Sequence, residues 1–173
     1  MRQKNVFLTG SRKVVLCAVL AAVMAALQTA MAFLPNIEPV SLLILVYTLV
    51  FGRNVFYIIY TFVFLEGLLY GFQLWWVTYL YIWSLWALAV MLIGGKKEHS
   101  PLTWASASGA FGLSFGALDA LPYLAGGPAA AVSRWISGIP FDLLHCGGNF
   151  FLALILEKPL YQLLVQLHDR AER

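Results

Sequence analysis

Charge is scarce in this chain. Of 173 residues only 11% are Asp, Glu, Lys or Arg, whereas 61% are hydrophobic. A soluble domain of this length could not hide so much apolar surface, so an ordinary water-soluble fold is excluded and the bilayer is the expected solvent. Cysteine is equally sparse: Cys17 and Cys146 lie in apolar runs, match no metal-ligand spacing and suggest no disulfide framework. A Gly-rich phosphate loop is missing too, because "GGKKEHS" (94–100) lacks the upstream glycine of a Walker motif, so the chain carries no ATPase of its own. No repeat of 20–50 residues and no low-complexity tract is visible. The formal charge of +3 is dispersed along the chain and gives no nucleic-acid signature.

Long apolar runs, by contrast, recur from Val14 almost to the C-terminus. Each span needs roughly 20 apolar residues, which predicts an all-α integral membrane protein: one domain, 1–173, of about six transmembrane helices. The start resembles a signal peptide, with "AMA" at Ala30–Ala32, but its apolar core of about 20 residues exceeds the usual 7–15 and reads as a retained first span. Helices are expected at about 12–33, 40–51, 55–72, 75–93, 102–124 and 130–161. The turns between them are "LPNIEP", Gly52-Arg53-Asn54, the hydrophilic "GGKKEHSP" and "AGGP". Helix 2 is short, rising only about 20 Å, so it must be sheltered by neighbours or tilt little. Pro140 is expected to kink or interrupt helix 6.

Orientation follows from the basic residues. With the N-terminus inside, Arg2, Lys4, Arg12, Lys13, Arg53, Lys96, Lys97, Lys158, Arg170 and Arg173 fall on the cytoplasmic side and Arg134 alone outside. Both termini are then cytoplasmic.

That topology gathers polar side chains in the outer half. Helix 3 brings Glu66 and Tyr70; helix 4 brings Trp75, Trp76, Tyr79 and Trp83; helix 5 brings Asp119 and Tyr123. Helix 6 descends through Arg134, Asp142, His145 and Asn149, the last three at i, i+3 and i+7 on one face. Tyr79, Trp83 and Trp86 share a face as well. Ionisable groups in a bilayer cost several kcal/mol unless they pair or line a wet cavity. A closed network, Arg134 to Asp142 and Glu66 to His145 or Asn149, is the bland alternative. Acids outnumber the arginine four to one on that side, so an outward-opening pocket with aromatic walls accounts for the whole set better. Trp75 and Trp76 fit an interfacial aromatic belt equally well.

A second pattern lies in helix 1, "CAVLAAVMAALQTA", where Ala18, Ala22, Ala26 and Ala30 repeat every four residues. Small-residue stripes allow close helix approach in membranes, against either this chain's own helices or another protein's.

These features together resemble the substrate-binding S-component of energy-coupling factor (ECF) transporters. The resemblance covers nearly the whole chain and is carried by six short helices, the alanine ladder, and the final "GIPFDLLHCGGNFFLALILEKPLY" with Asn149 and Pro159-Leu160-Tyr161. It implies a multi-pass bacterial cell-membrane protein that captures a vitamin, precursor or metal ion from outside. It also implies docking onto a transmembrane coupling subunit and two ATPases. By this resemblance Ala18, Ala22 and Ala26 touch the coupling subunit, and ATP and Mg are used by the partner ATPases, with no cofactor or metal in this chain. The metal-binding N-terminal His of the nickel and cobalt branch is absent. A water-soluble vitamin or related heterocycle is expected: thiamine or a pyrimidine precursor, with riboflavin, cobalamin, a pterin or a queuosine-type base open. Glu66, Asp119 and Asp142 suit ring amino groups or positive charge, and Arg134 suits a carboxylate or phosphate.

Two rivals come from other classes. "SASG" at Ser106–Gly109 with His145 and Asn149 faintly resembles a rhomboid-type intramembrane protease, but Ser108 and His145 fall in opposite halves and the motif order is reversed. A purely structural membrane subunit is the other.

Overall fold

The computed structural model describes residues 10–34, 37–94 and 100–171. Within them the chain forms six α-helices and no strand: α1 (Gly10–Ala30), α2 (Val40–Phe51), α3 (Val55–Tyr70), α4 (Leu74–Gly94), α5 (Pro101–Asp119) and α6 (Pro128–Ala171). Single 3-10 segments lie at Gly52–Asn54 and Leu121–Gly126. Gly10–Ala30, Val40–Tyr70, Leu74–Gly94 and Pro128–Leu167 are long and apolar enough to cross a membrane. Helices satisfy every backbone group internally, which lipid demands. By length and composition this is a helical membrane protein. In that count α2 and α3 form one stretch, and α5, rich in Gly, Ala and Ser, is not included.

Glycines end two of the helices. Gly52 (φ 54°) closes α2 and Gly71 (φ 89°) closes α3, in backbone conformations that side chains with a Cβ resist. Ser100 caps α5, its Oγ accepting the Thr103 N–H at 3.3 Å ahead of Pro101.

Cross-helix contacts fix direction. Lys13 lies over the Tyr57 ring at 4.1 Å, and Thr29 bonds Tyr70 at 2.8 Å, so α1 and α3 run parallel. The end at which they finish, and α4 begins, is called the upper end below. There the Gln28 amide donates to the Tyr79 hydroxyl at 3.1 Å. The start of α2 is deeper: Trp86 Nε1 donates to the Ser41 carbonyl at 2.8 Å. Trp86 is seven residues beyond Tyr79 on α4, about 10 Å further down. The α1–α2 connection therefore descends into the bundle, and the short α2 starts partway across. The chain reverses at Gly52–Asn54. All but one residue of α2 is buried, as its shortness led one to expect.

Several expected boundaries move. α3 stops at Tyr70 rather than 72, α5 at Asp119 rather than 124, and α6 continues ten residues past Tyr161. Pro122 explains the second, since the residue before a proline disfavours α geometry. α6 is not interrupted at Pro140 but stays helical through it and through Pro159. One lost hydrogen bond is a local defect in a helix of 44 residues held along α5. That contact runs on glycines. A Cβ at Gly112 would lie 2.7 Å from the His145 carbonyl oxygen, and one at Gly109 would lie 3.3 Å from Phe150 Cβ.

On α1, Ala21 and Ala25 are buried in the bundle, while Ala18, Ala22, Ala26 and Ala30 are exposed. The charged residues expected at Arg2, Lys4, Lys96, Lys97 and Arg173, and the turn residues Pro35 and Asn36, lie outside the described residues.

Candidate ligand cavity

A cavity of about 410 Å³ opens at the upper end of the bundle. Its walls come from five helices and the descending connection. α1 and the turn after it supply Gln28, Met31 and Leu34; α3 supplies Glu66 and Tyr70; α4 supplies Trp75 and Tyr79. Phe115 of α5, His145 of α6 and Glu38 of the connection complete it.

The polar atoms here are unusual in lacking partners. Glu66 and His145 are each 2% exposed, yet among the described residues Glu66 Oε1 and His145 Nε2 find no hydrogen-bond partner, and neither does Gln28 Oε1. His145 Nε2 faces Glu38 Oε1 at 3.9 Å, beyond hydrogen-bond length. Burial, and then the charge of Glu66, push the Glu38 carboxyl up to about 7. Buried polar groups left unmade cost about 1–3 kcal/mol each, and three of them meet at this one cavity.

The aromatic wall is a corner with a floor beneath it. Trp75 and Tyr79 stand edge to face, centroids 5.2 Å apart, and Tyr79 stands likewise on the buried Trp83 at 5.2 Å. Phe115 packs between Trp83 at 5.6 Å and the His145 ring at 4.9 Å.

Of the twelve residues expected to bind a ligand, Glu66, Tyr70, Trp75, Tyr79 and His145 line this cavity. The others lie elsewhere. Trp83 lies under the floor. Trp76 turns away, its Nε1 donating to the Val63 carbonyl at 2.8 Å and its ring meeting Phe72, which locks α3 to α4. Asp119, Tyr123 and Arg134 form a separate cluster. Arg134 Nη2 and Nε donate to Asp119 Oδ2 at 2.6 and 2.9 Å, Thr78 donates to Oδ1 at 3.0 Å, and the guanidinium lies 5.4 Å from the Tyr123 ring. The pairing of Arg134 with Asp142 does not form, because eight helical residues separate them by about 12 Å.

Asp142, His145 and Asn149 do share one buried face, while Leu143 and Leu144 beside them are exposed. Their tasks differ. Asp142 Oδ1 accepts the Gly116 N–H at 2.8 Å and Asn149 donates to the Ser108 carbonyl at 3.4 Å, both tying α6 to α5. His145 alone faces the cavity. Ser108 Oγ is buried without a hydrogen-bond partner.

Gln28, Glu38 and Phe115 are cavity residues that sequence reasoning missed. Glu38 stands between two prolines and reads as a turn charge. The usable signal was the brevity of α2, which requires its start, and the residues just before it, to lie deep.

No family model matches the chain, and neither does any curated protein or solved structure.

Proposed function

We propose that this chain is the substrate-capture subunit of an ECF-type importer: a bundle whose six helices form the membrane domain, with the cavity opening outward. It binds a water-soluble vitamin or related heterocycle and hands it on by docking onto an ATP-driven coupling module, with no catalysis of its own. One observation carries this reading: the upper cavity joins aromatic walls to buried polar atoms that have no partner among the described residues. Its volume of about 410 Å³ lies low in the 300–1,000 Å³ range of small-molecule sites. That suits one or two rings rather than a corrinoid. The exposed Ala18, Ala22 and Ala26 support the docking half of the proposal, since a small-residue stripe left free on a membrane helix accepts another helix closely.

The test is a thermal-shift screen of purified chain against water-soluble vitamins and their precursor bases. A specific ligand raises the melting temperature by mass action; a flat response to the whole panel overturns the proposal. Docking is read separately. Co-expression with an ECF coupling subunit and its ATPases should retain that module on the tagged chain, and Ala22→Trp should release it while ligand binding persists.

A further inference from the structure

The cavity's charge is one-sided. Among the described residues none that lines it is Lys or Arg, while two carboxylates, Glu38 and Glu66, face it. Arg134, the basic residue expected there, is committed to Asp119. The other titratable groups on the walls are His145 of α6 and the hydroxyls of Tyr70 and Tyr79. A protonated His145 could offset one carboxylate at most. With both carboxylates ionised the site keeps a surplus of negative charge, beside Gln28 Oε1 and Glu66 Oε1, which are free acceptors. A phosphate or carboxylate entering here would meet like charge without a cation to receive it, and desolvated charges left unpaired are costly. An N–H donor or a cation would satisfy what the walls lack.

We propose that the cavity selects a small planar heterocycle carrying a positive charge or several N–H donors and no phosphate or carboxylate, held by Glu38 and Glu66 in the corner between Trp75 and Tyr79. This rests on the reading of the cavity as a capture site and adds its charge specificity. The cargo is the free base or alcohol; a phosphorylated or carboxylated relative is rejected. Charge-assisted hydrogen bonds to a carboxylate supply the discrimination, and the ring wall adds area without regard to charge.

Isothermal titration of the full chain in nanodiscs at pH 7.5 tests this with named probes. Thiamine serves as the cationic aminopyrimidine and 4-amino-5-hydroxymethyl-2-methylpyrimidine as the uncharged one. Thiamine monophosphate, pantothenate and biotin serve as the anions, and riboflavin as a neutral flat ring. Binding should be tightest for the amino-substituted bases, at least tenfold weaker for the monophosphate, and undetectable for pantothenate and biotin. Glu66→Gln should weaken thiamine about 10–100-fold and the uncharged aminopyrimidine less, a difference that general loosening of the fold would not produce. Glu38→Gln provides the same readout should Glu66→Gln fail to purify. Tighter binding of any anion or of riboflavin than of the amino-substituted bases overturns the charge specificity and leaves the capture proposal standing. Binding of no probe in the panel overturns both.

Discussion

Two acidic clusters sit in the upper half of the bundle, and their carboxylates are treated in opposite ways. Asp119 is saturated: a bidentate guanidinium, a threonine hydroxyl and a ring behind the arginine close it on every side. Glu66 is also buried but has an oxygen with no partner among the described residues, beside a histidine and a glutamine in the same condition. The first arrangement joins α4, α5 and α6. The second leaves α1, α3 and α6 facing one another across a space. Hydrogen bonding is complete at Asp119 and incomplete at Glu66.

The comparison can be broken from either side. The largest effect is expected from exchanging one member of each cluster. Glu66→Gln should cost about 10–100-fold in affinity for a cationic ligand with an unchanged or raised melting temperature, because a buried charge has gone. Arg134→Gln should leave affinity within about threefold while lowering stability, by on the order of 1 kcal/mol since Arg134 is 46% exposed. Finding both losses in one variant would erase the distinction.

Next comes pH. Folding raises Glu38 from its ordinary 4.5 to about 7, so the folded chain keeps a proton that the unfolded chain releases. That stabilisation is fully present below about 4.5 and is lost as pH rises through about 7. A cationic ligand prefers the ionised carboxylate, so affinity runs the other way, rising about tenfold between pH 6 and pH 8. Titrations at the two pH values should show this in the native chain and a smaller rise in Glu38→Gln, where Glu66 remains. The smallest effect is expected from Thr78→Val, which removes one of the bonds to Asp119. About 1 kcal/mol of stability should go, seen in thermal unfolding, with ligand affinity unaltered.

How much of this was legible beforehand depends on range along the chain. Helix positions were readable because apolar runs are punctuated by Gly and Pro, and the α2 limits at Val40 and Phe51 came out as expected. The shared face of Asp142, His145 and Asn149 was readable from i, i+3, i+7 spacing alone. What each residue on that face meets was not, because α5 decides it: Gly116 leaves room for Asp142 where a side chain would have filled it. The Asp119–Arg134 pair was hidden because it bridges two helices across the 3-10 turn. Glu38 was hidden for a different reason, since the depth of a connection is set by how far the next helix must travel.

The glycine seam between α5 and α6 has a mechanical consequence. A Cβ at Gly112 would lie 2.7 Å from the His145 backbone, so the wall bearing His145 has no slack against its neighbour. The opposite wall, α1, is joined to α3 and α4 at the rim by two side-chain bonds, Gln28 to Tyr79 and Thr29 to Tyr70, and its Ala21 and Met24 are fully buried in the core. A side chain placed at Gly112 would therefore push α6, and His145 with it, away from α5 and reshape the cavity from that side.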